Sequence, residues 1–300
     1  MQPKINLRAA MALVSVHQAA DLSFRELADA YCAVVFDNAD LRLRKWVEAF
    51  GHQSAWSITT RDLSLAAEAM MQSGQYQAST VNRDLSQIGT LYKWANRRHL
   101  APAGFTSPTI GLQRYSESMR RVEVSEKEIA ALIKGAHAYV DRRFAAYVRL
   151  LIDTGARRGE VRERRWRDVN LDARTIEVVK TKTDRPRTLF FTEETAALVR
   201  RVWPESERKP DDLLFAGKVP GQCIDYKKSW LDLVAAIGRP DLHQHDLRHH
   251  RAAELLRSGV TIGVAAQVLG HSATVLERRY GHLESETLRR AAEGSWSNAA

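Results

Sequence analysis

The chain has 300 residues, 44% of them hydrophobic and 27% charged, with a formal net charge of +9. That length exceeds what one hydrophobic core ordinarily holds, so two domains are expected, and no apolar run approaches the roughly 18 residues needed to cross a bilayer. The positive balance on a non-repetitive chain points to a polyanionic partner, against the plainer reading of a merely basic soluble protein.

Residues 1–20 have a basic start and some apolar character, but His17 and Gln18 interrupt it. They read as an N-terminal extension and not as a signal peptide. Cys32 and Cys223 are far apart and lack a partner pattern, which predicts a reducing, cytoplasmic setting without structural disulfides.

A helical module is expected over 21–101. "SFRELADAYCAVVF" opens with Ser23 three residues before Glu26, the spacing of a capping box. "TTRDLSLAAEAMMQSG" predicts a helix that starts near Thr60 or Asp62 and stops at Gly74. In "ASTVNRDLSQIGTLYKWANRRHL", Val81, Leu85, Ile88, Leu91 and Trp94 recur every three to four residues, the period of one buried helix face. Between them lie Asn82, Arg83, Lys93, Arg97 and Arg98, a basic flank that suits a phosphate backbone as well as plain solvent. Pro102, Gly104, Pro108 and Gly111 then crowd one span, so 102–121 reads as an interdomain linker.

A second domain is expected over 122–300. Ser125 and Glu128 repeat the capping-box spacing, and the helix in "RRFAAYVRLLIDTGARRGE" should stop at Gly155. "RTIEVVKTKTDRPRTLFFT" carries two β-branched runs around "TDRP" and predicts a hairpin. Helical texture returns in "EETAALVRRVW", "YKKSWLDLVAAIG", "LRHHRAAELLRSG" and "IGVAAQVLG". The fold class is therefore mainly α, with two helical domains and a small antiparallel β-sheet in the second.

The second domain also holds a set of groups with a common chemical theme. Arg157 follows "TGA", Lys182 lies at the hairpin tip, His245 and Arg248 are three apart in "HDLR", His271 follows the glycine of "LGH", and Tyr280 stands in "RRYGH". Arginine forks match the non-bridging oxygens of a reacting phosphate, histidine can donate to the same oxygens or move a proton, and a turn lysine can protonate a leaving oxygen. A tyrosine is a poor nucleophile unless nearby cations lower its pKa, and this neighbourhood is rich in them. Each group has a plainer reading. Arg157 pairs with Glu160 at a helix start; Lys182 is a solvated turn residue with Lys180 as its rival; His245 packs against the next turn; Tyr280 is an ordinary core or surface tyrosine. His245 and His249 are four apart, as in helical zinc pairs, but no third ligand is spaced to complete a site, so no metal is expected.

The motifs "TGARRGE", "KTKTDRPRTL", "HDLRHH", "LGHS" and "RRYGH", in this order, resemble those of the tyrosine recombinases, also called phage integrases. The resemblance covers about Val124 to Leu288, and "STVNRDLSQIGTLYKWANRR" is similar to the family's helical, SAM-like core-binding module. It implies a site-specific recombinase that cleaves and rejoins duplex DNA through a 3′-phosphotyrosyl intermediate and a Holliday junction, in integration or excision. A type IB-like topoisomerase and a catalytically silent DNA-binding protein are the alternatives. Tyr280 would attack the scissile phosphate, Arg157 and Arg248 would hold its oxygens, and His245 would orient it and accept the phenol proton. Lys182 would be the general acid, His271 a further donor to the phosphate, and Glu160 a buttress. Arg83, Lys93, Arg97, Arg98 and Arg158 would contact DNA. The resemblance implies no cofactor or metal. The partners it implies are double-stranded DNA and further copies of the chain, as a dimer on a core site and a tetramer in synapsis, with a directionality factor left open and no membrane.

Three features fall outside the family pattern or extend beyond it. Arg162 and Arg164 stand where apolar residues are usual, and an extra DNA-facing surface is favoured over a subunit contact or a shifted helix register. The tail after Tyr280, with "ESETLRRAAEG", is expected to dock on a neighbouring subunit. The segment before Phe24 is too short for an added arm-type DNA-binding domain, so a single class of core site is expected.

Overall fold

Side-chain caps set where the first helices begin. In the computed structural model, which describes residues 22–35, 39–117, 122–179 and 186–281, contacts divide the chain into Met1–Met119 and Arg120–Ala300. In the first unit, Ser23 and Glu26 close the expected capping box at the start of α1 (Phe24–Cys32). α2 (Ala39–Phe50) follows, then α3 (Thr60–Gln72). The cap of α3 is Thr59, one residue before the expected start, because its hydroxyl and Asp62 are the pair that exchange hydrogen bonds with the first-turn backbone.

α4 (Ala78–Arg97) buries Val81, Leu85, Ile88, Leu91, Tyr92 and Ala95 against Phe24, Leu27, Leu43 and Trp46. Trp94 is only partly buried, and Tyr92 takes the deeper place by donating its hydroxyl to the Ala55 carbonyl at 2.7 Å. Burying each large side chain of this kind contributes about 1.5–3 kcal/mol. Arg83, Lys93, Arg97 and Arg98 are all exposed.

The expected linker is not free along its first part. Phe105, Leu112 and Tyr115 pack on the first unit's core. The buried Asn82 side chain exchanges two hydrogen bonds with the Tyr115 backbone, at 3.0 and 2.9 Å. Three apolar anchors thus hold a Pro- and Gly-rich strap whose composition reads as a spacer. Residues 118–121 lie outside the described residues.

In the second unit, α5 (Glu126–His137) begins with the expected Ser125–Glu128 box. α6 (Arg142–Thr154) is buried along most of its length and ends at Gly155, which is left-handed at φ 58°. α7 (Arg158–Arg162) stops after five residues, and a 3₁₀ turn places Trp166 in the core. β1 (Val169–Asn170), β2 (Thr175–Val178) and β3 (Arg187–Phe190) form an antiparallel sheet in that order. Its register sets Ile176 opposite Leu189 and Val178 opposite Arg187. The hairpin tip, with Lys180 and Lys182, lies outside the described residues.

α8 (Glu193–Val202) and α9 (Lys227–Ala236) complete the main core. α10 (Gln244–Arg257), α11 (Ile262–Leu269) and α12, helical over 273–281, build a second layer around Leu256, Ala265, Leu269 and Leu276, with Tyr280 packed on its edge. The tail over 282–300 and the N-terminal residues 1–21 lie outside the described residues. No helix among the described residues is long and apolar enough to cross a membrane. Cys32 and Cys223 both remain thiols.

Arg162 and Arg164, expected to face DNA, are half-buried and lie near carboxylates. Their side chains are 20% and 12% exposed; Arg162 lies 3.7 Å from both Glu163 and Asp225, and Arg164 lies 3.9 Å from Asp168. Because α7 ends at Arg162, the chain turns Arg164 inward, where Asp168 faces it.

Candidate active site

Two glycines explain why the arginine and histidine motifs are spelled as they are. At Gly155, a Cβ would lie 2.7 Å from Leu269 Cδ2 and 3.0 Å from Arg251 Cβ; at Gly270, also left-handed at φ 62°, it would lie 2.5 Å from Arg187 Nη1. Both positions need a residue without a side chain, on steric and on backbone grounds. Both carbonyls then serve as ties. Arg248 Nη1 donates to Gly155 O at 2.9 Å, and Arg157 Nη2 reaches Gly270 O at 3.4 Å. "TGA" and "LGH" are thereby stitched to the arginines of two other segments.

Arg157 sits at the N-cap of α7. Its backbone N–H donates to Glu160 Oε2 at 2.7 Å and its Nη1 donates to Glu160 Oε1 at 2.9 Å. Glu160 is buried and is shared with Arg187, whose Nη2 donates to Oε2 at 2.5 Å. Burial would raise the Glu160 pKa, but the Arg187 charge and the Arg157 hydrogen bonds hold it below the usual carboxylate range. Sequence reading missed Arg187. Strand alternation could have found it: Arg187 is two residues before the inward-facing Leu189, so it points inward and needs an anion.

Arg248, at 1% exposure, is the most buried charge of the set. Its Nε donates to His271 Nε2 at 2.7 Å and its Nη2 donates to Leu269 O. Burial and the neighbouring Arg157 and Arg187 charges oppose its charge, while Glu160 supports it. A guanidinium stays protonated in proteins, so this buried positive charge is permanent. His271 accepts through Nε2 and therefore carries its proton on Nδ1 when neutral. Burial, followed by Arg248 and Arg157, pushes its pKa down to about 3.

The surroundings of Tyr280 differ from expectation in two respects. Its hydroxyl lies 2.5 Å from His249 Nδ1, not against His245, and Arg279 Nη1 is 3.0 Å from His249 Nε2. Second, its pKa is not lowered by the cations: burial pushes it up to about 12, outweighing the Arg279 and Arg248 charges. His245 is exposed beside His249, with ring centroids 4.8 Å apart. Desolvation by its neighbours and then the Arg248 charge hold it below the ordinary histidine value.

The described structure brings together Arg157, Glu160, His245, Arg248, His271 and Tyr280, and adds Arg187, His249 and Arg279. Arg158 is exposed on α7. Lys182 lies outside the described residues, and Arg83, Lys93, Arg97 and Arg98 belong to the first unit. Fixed cations, among them Arg248 and Arg279, thus lie within electrostatic range of the Tyr280 phenol.

The histidines also make a prediction about stability. His249 is held down to about 4 and His271 to about 3, mainly by burial, and His137 and His245 also lie below 6.5. Between pH 6.5 and 4.5 the unfolded chain protonates His249 and His271 and the folded one largely does not, and His137 and His245 shift in the same direction. The associated stability is therefore complete above 6.5 and is lost as pH falls through that window, before carboxylates titrate. Calorimetry should show the second unit's Tm falling by roughly 5 °C or more across it. A flat Tm there would mean the rings are not desolvated.

Known proteins resemble this chain over much of its length. The model of the phage integrase family matches residues 123–287, more than half of the chain, and the phage integrase N-terminal SAM-like domain matches residues 40–99. Tyrosine recombinase XerA of Saccharolobus solfataricus is 31% identical over 171 residues, 57% of this chain and 56% of that protein. The match therefore spans little more than half of that relative's length. Tyrosine recombinase XerD of Ralstonia nicotianae is 27% identical over 243 residues, 77% of each. The Tn1549 transposon integrase in complex with circular intermediate DNA superposes with a TM-score of 0.67 at 18% identity, over 87% of this chain and 95% of that one. A lambda integrase dimer bound to a COC' core site gives a TM-score of 0.64 at 15% identity, over 90% and 84%. At these identities the structural likeness concerns the fold, a mainly helical one with a SAM-like N-terminal domain. With two family models matched in order along the chain and the arginine–histidine–tyrosine cluster gathered in the second unit, the chain belongs to the phage integrase family.

Proposed function

We propose that this chain is a site-specific DNA recombinase that cleaves and rejoins duplex DNA by transesterification at Tyr280. The observation that carries this reading is that the Tyr280 phenol lies within electrostatic range of Arg248 on α10 and Arg279 on α12, with Arg157 within the same range of Arg248. Tyr280 Oη forms a bond to phosphorus as the bond from phosphorus to the 5′ oxygen breaks. His245, neutral and exposed, takes the phenol proton, and Lys182 gives one to the 5′ oxygen. Arg157 and Arg248 balance the charge that builds on the non-bridging oxygens. The protein–DNA ester keeps the phosphodiester energy, so rejoining reverses the same steps without a nucleotide.

Binding as a dimer on inverted half-sites and strand exchange in a tetramer fit this reading. The test is to incubate the purified chain with DNA of its own genome and map covalent attachments. Adducts at discrete positions, linked through Tyr280, support the proposal; absence of any adduct leaves a binding role only. Supercoil relaxation by a monomer, without exchange between two sites, would favour a topoisomerase.

Duplex affinity should be strongly salt-dependent. If Arg83, Lys93, Arg97, Arg98 and Arg158 each neutralise one phosphate, log K falls with a slope of roughly −4.5 against log salt. Replacing any one of them with alanine should flatten that slope by about 0.9. A slope near zero in a fluorescence-anisotropy titration would remove these residues from the DNA interface.

A further inference from the structure

The resemblance assigns no part to His249, yet His249 holds the hydroxyl of Tyr280. We infer that His249 is a catalytic hydrogen-bond donor to the Tyr280 phenol oxygen, its donor tautomer set by Arg279. The inference rests on Tyr280 being the nucleophile.

The tautomer follows from the partners. An arginine N–H can only donate, and Arg279 Nη1 lies 3.0 Å from His249 Nε2, so that nitrogen presents its lone pair. A neutral imidazole has one lone-pair nitrogen and one N–H, which puts the proton on Nδ1. Nδ1 is the atom 2.5 Å from Tyr280 Oη. The contact is therefore Nδ1–H donating to the phenol oxygen, and in this arrangement His249 cannot be the base that removes the phenol proton. It keeps its own proton throughout and stabilises the negative charge that grows on Oη as that proton leaves.

The groups around the ring favour its neutral form. On α10, the His245 ring stands nearly perpendicular to it and Asp246 and Arg248 lie within electrostatic range; from α12 come Arg279 and Tyr280, and His271 follows α11. Burial and the Arg279, His245 and Arg248 charges all oppose protonation, while Asp246 alone favours it. The ring thus stays a fixed donor at neutral pH. Arg279, next to Tyr280 in sequence, closes the device: the helix that carries the nucleophile also carries the residue that orients the nucleophile's donor.

The experiment has two arms, both on the full chain. Nitrogen-15 NMR of labelled histidine in the DNA-free protein should show His249 as the Nδ1–H tautomer. In Arg279→Met it should become a mixture. An Nε2–H tautomer in the wild type overturns the proposal whatever happens with DNA. The second arm measures initial cleavage rates, from neutral to alkaline pH, on a duplex to which the wild type attaches. His249→Phe removes the donor and should cut the rate on the order of 10- to 100-fold, with duplex Kd unchanged and the alkaline rise moved to higher pH. His249→Asn, whose amide N–H can occupy the place of Nδ1–H, should recover most of that loss. Equal damage by Asn and Phe with an unshifted pH profile would make His249 merely structural and overturn the proposal. Failure of the wild type to attach to any duplex would refute the nucleophile reading, and the NMR arm would still decide the tautomer.

Discussion

Tyr280→Phe is expected to abolish the covalent protein–DNA adduct, a loss of at least about 10⁴-fold in cleavage, with duplex affinity kept within a few-fold. The ring of Tyr280 packs on the layer formed by α10, α11 and α12, and phenylalanine keeps those contacts. What goes is Oη, with its hydrogen bond to His249. Loss of that one bond should lower stability by about 1 kcal/mol, too little to unfold the domain. Affinity is expected to come mainly from phosphate contacts spread over the chain, which this change does not touch. The check is a denaturing gel of protein incubated with labelled duplex, beside an anisotropy titration of the same variant. An adduct that persists in Tyr280→Phe would move the nucleophile elsewhere and dissolve the reading of the cluster.

The second large effect separates the two family arginines, which the sequence treats alike. Arg157→Ala should reduce cleavage by about 10²–10⁴-fold with stability changed by less than about 1 kcal/mol. Its side chain is partly exposed, and Glu160 keeps Arg187 as a partner after its removal. Arg248→Ala should lose cleavage to at least the same degree and also destabilise the second unit by about 2–4 kcal/mol. It would leave the carbonyls of Gly155 and Leu269 and the ring of His271 without their donor, around a buried void. Thermal unfolding of the two variants in parallel decides this. Equal Tm values would mean Arg248 carries no structural load; a collapse of Arg157→Ala would mean the Glu160 pair holds the domain together.

Much of this molecule is written in local patterns. Ser23–Glu26 and Ser125–Glu128 announce two helix starts, because a capping box is completed within four residues. Gly155 ends α6 where the sequence says it should, since a left-handed cap excludes a side chain almost anywhere it occurs. The apolar period of α4 reads directly as a buried face. The identities of Arg157, His245, Arg248, His271 and Tyr280 were legible as a resemblance, and the inward face of Arg187 was available from strand alternation.

What the chain alone left undecided are facts about partners distant in sequence. Arg157 meets Gly270 across 113 residues, and His249 meets Tyr280 across 31. No periodicity reports such a meeting. Arg162 and Arg164 look like a basic surface in the sequence, yet both are half-buried near carboxylates, Arg164 turned towards Asp168 because α7 ends early and Arg162 beside the exposed Asp225. Tyr280 looks activated by its cations and is instead raised by burial, a quantity set by the whole α10–α12 layer. Residue order determined where backbone caps and turns fall, since those bonds close within a few residues. Only the packed structure decided which polar atoms face one another and how much water they lose, because hydrogen-bond partners and dielectric surroundings are properties of the assembled core.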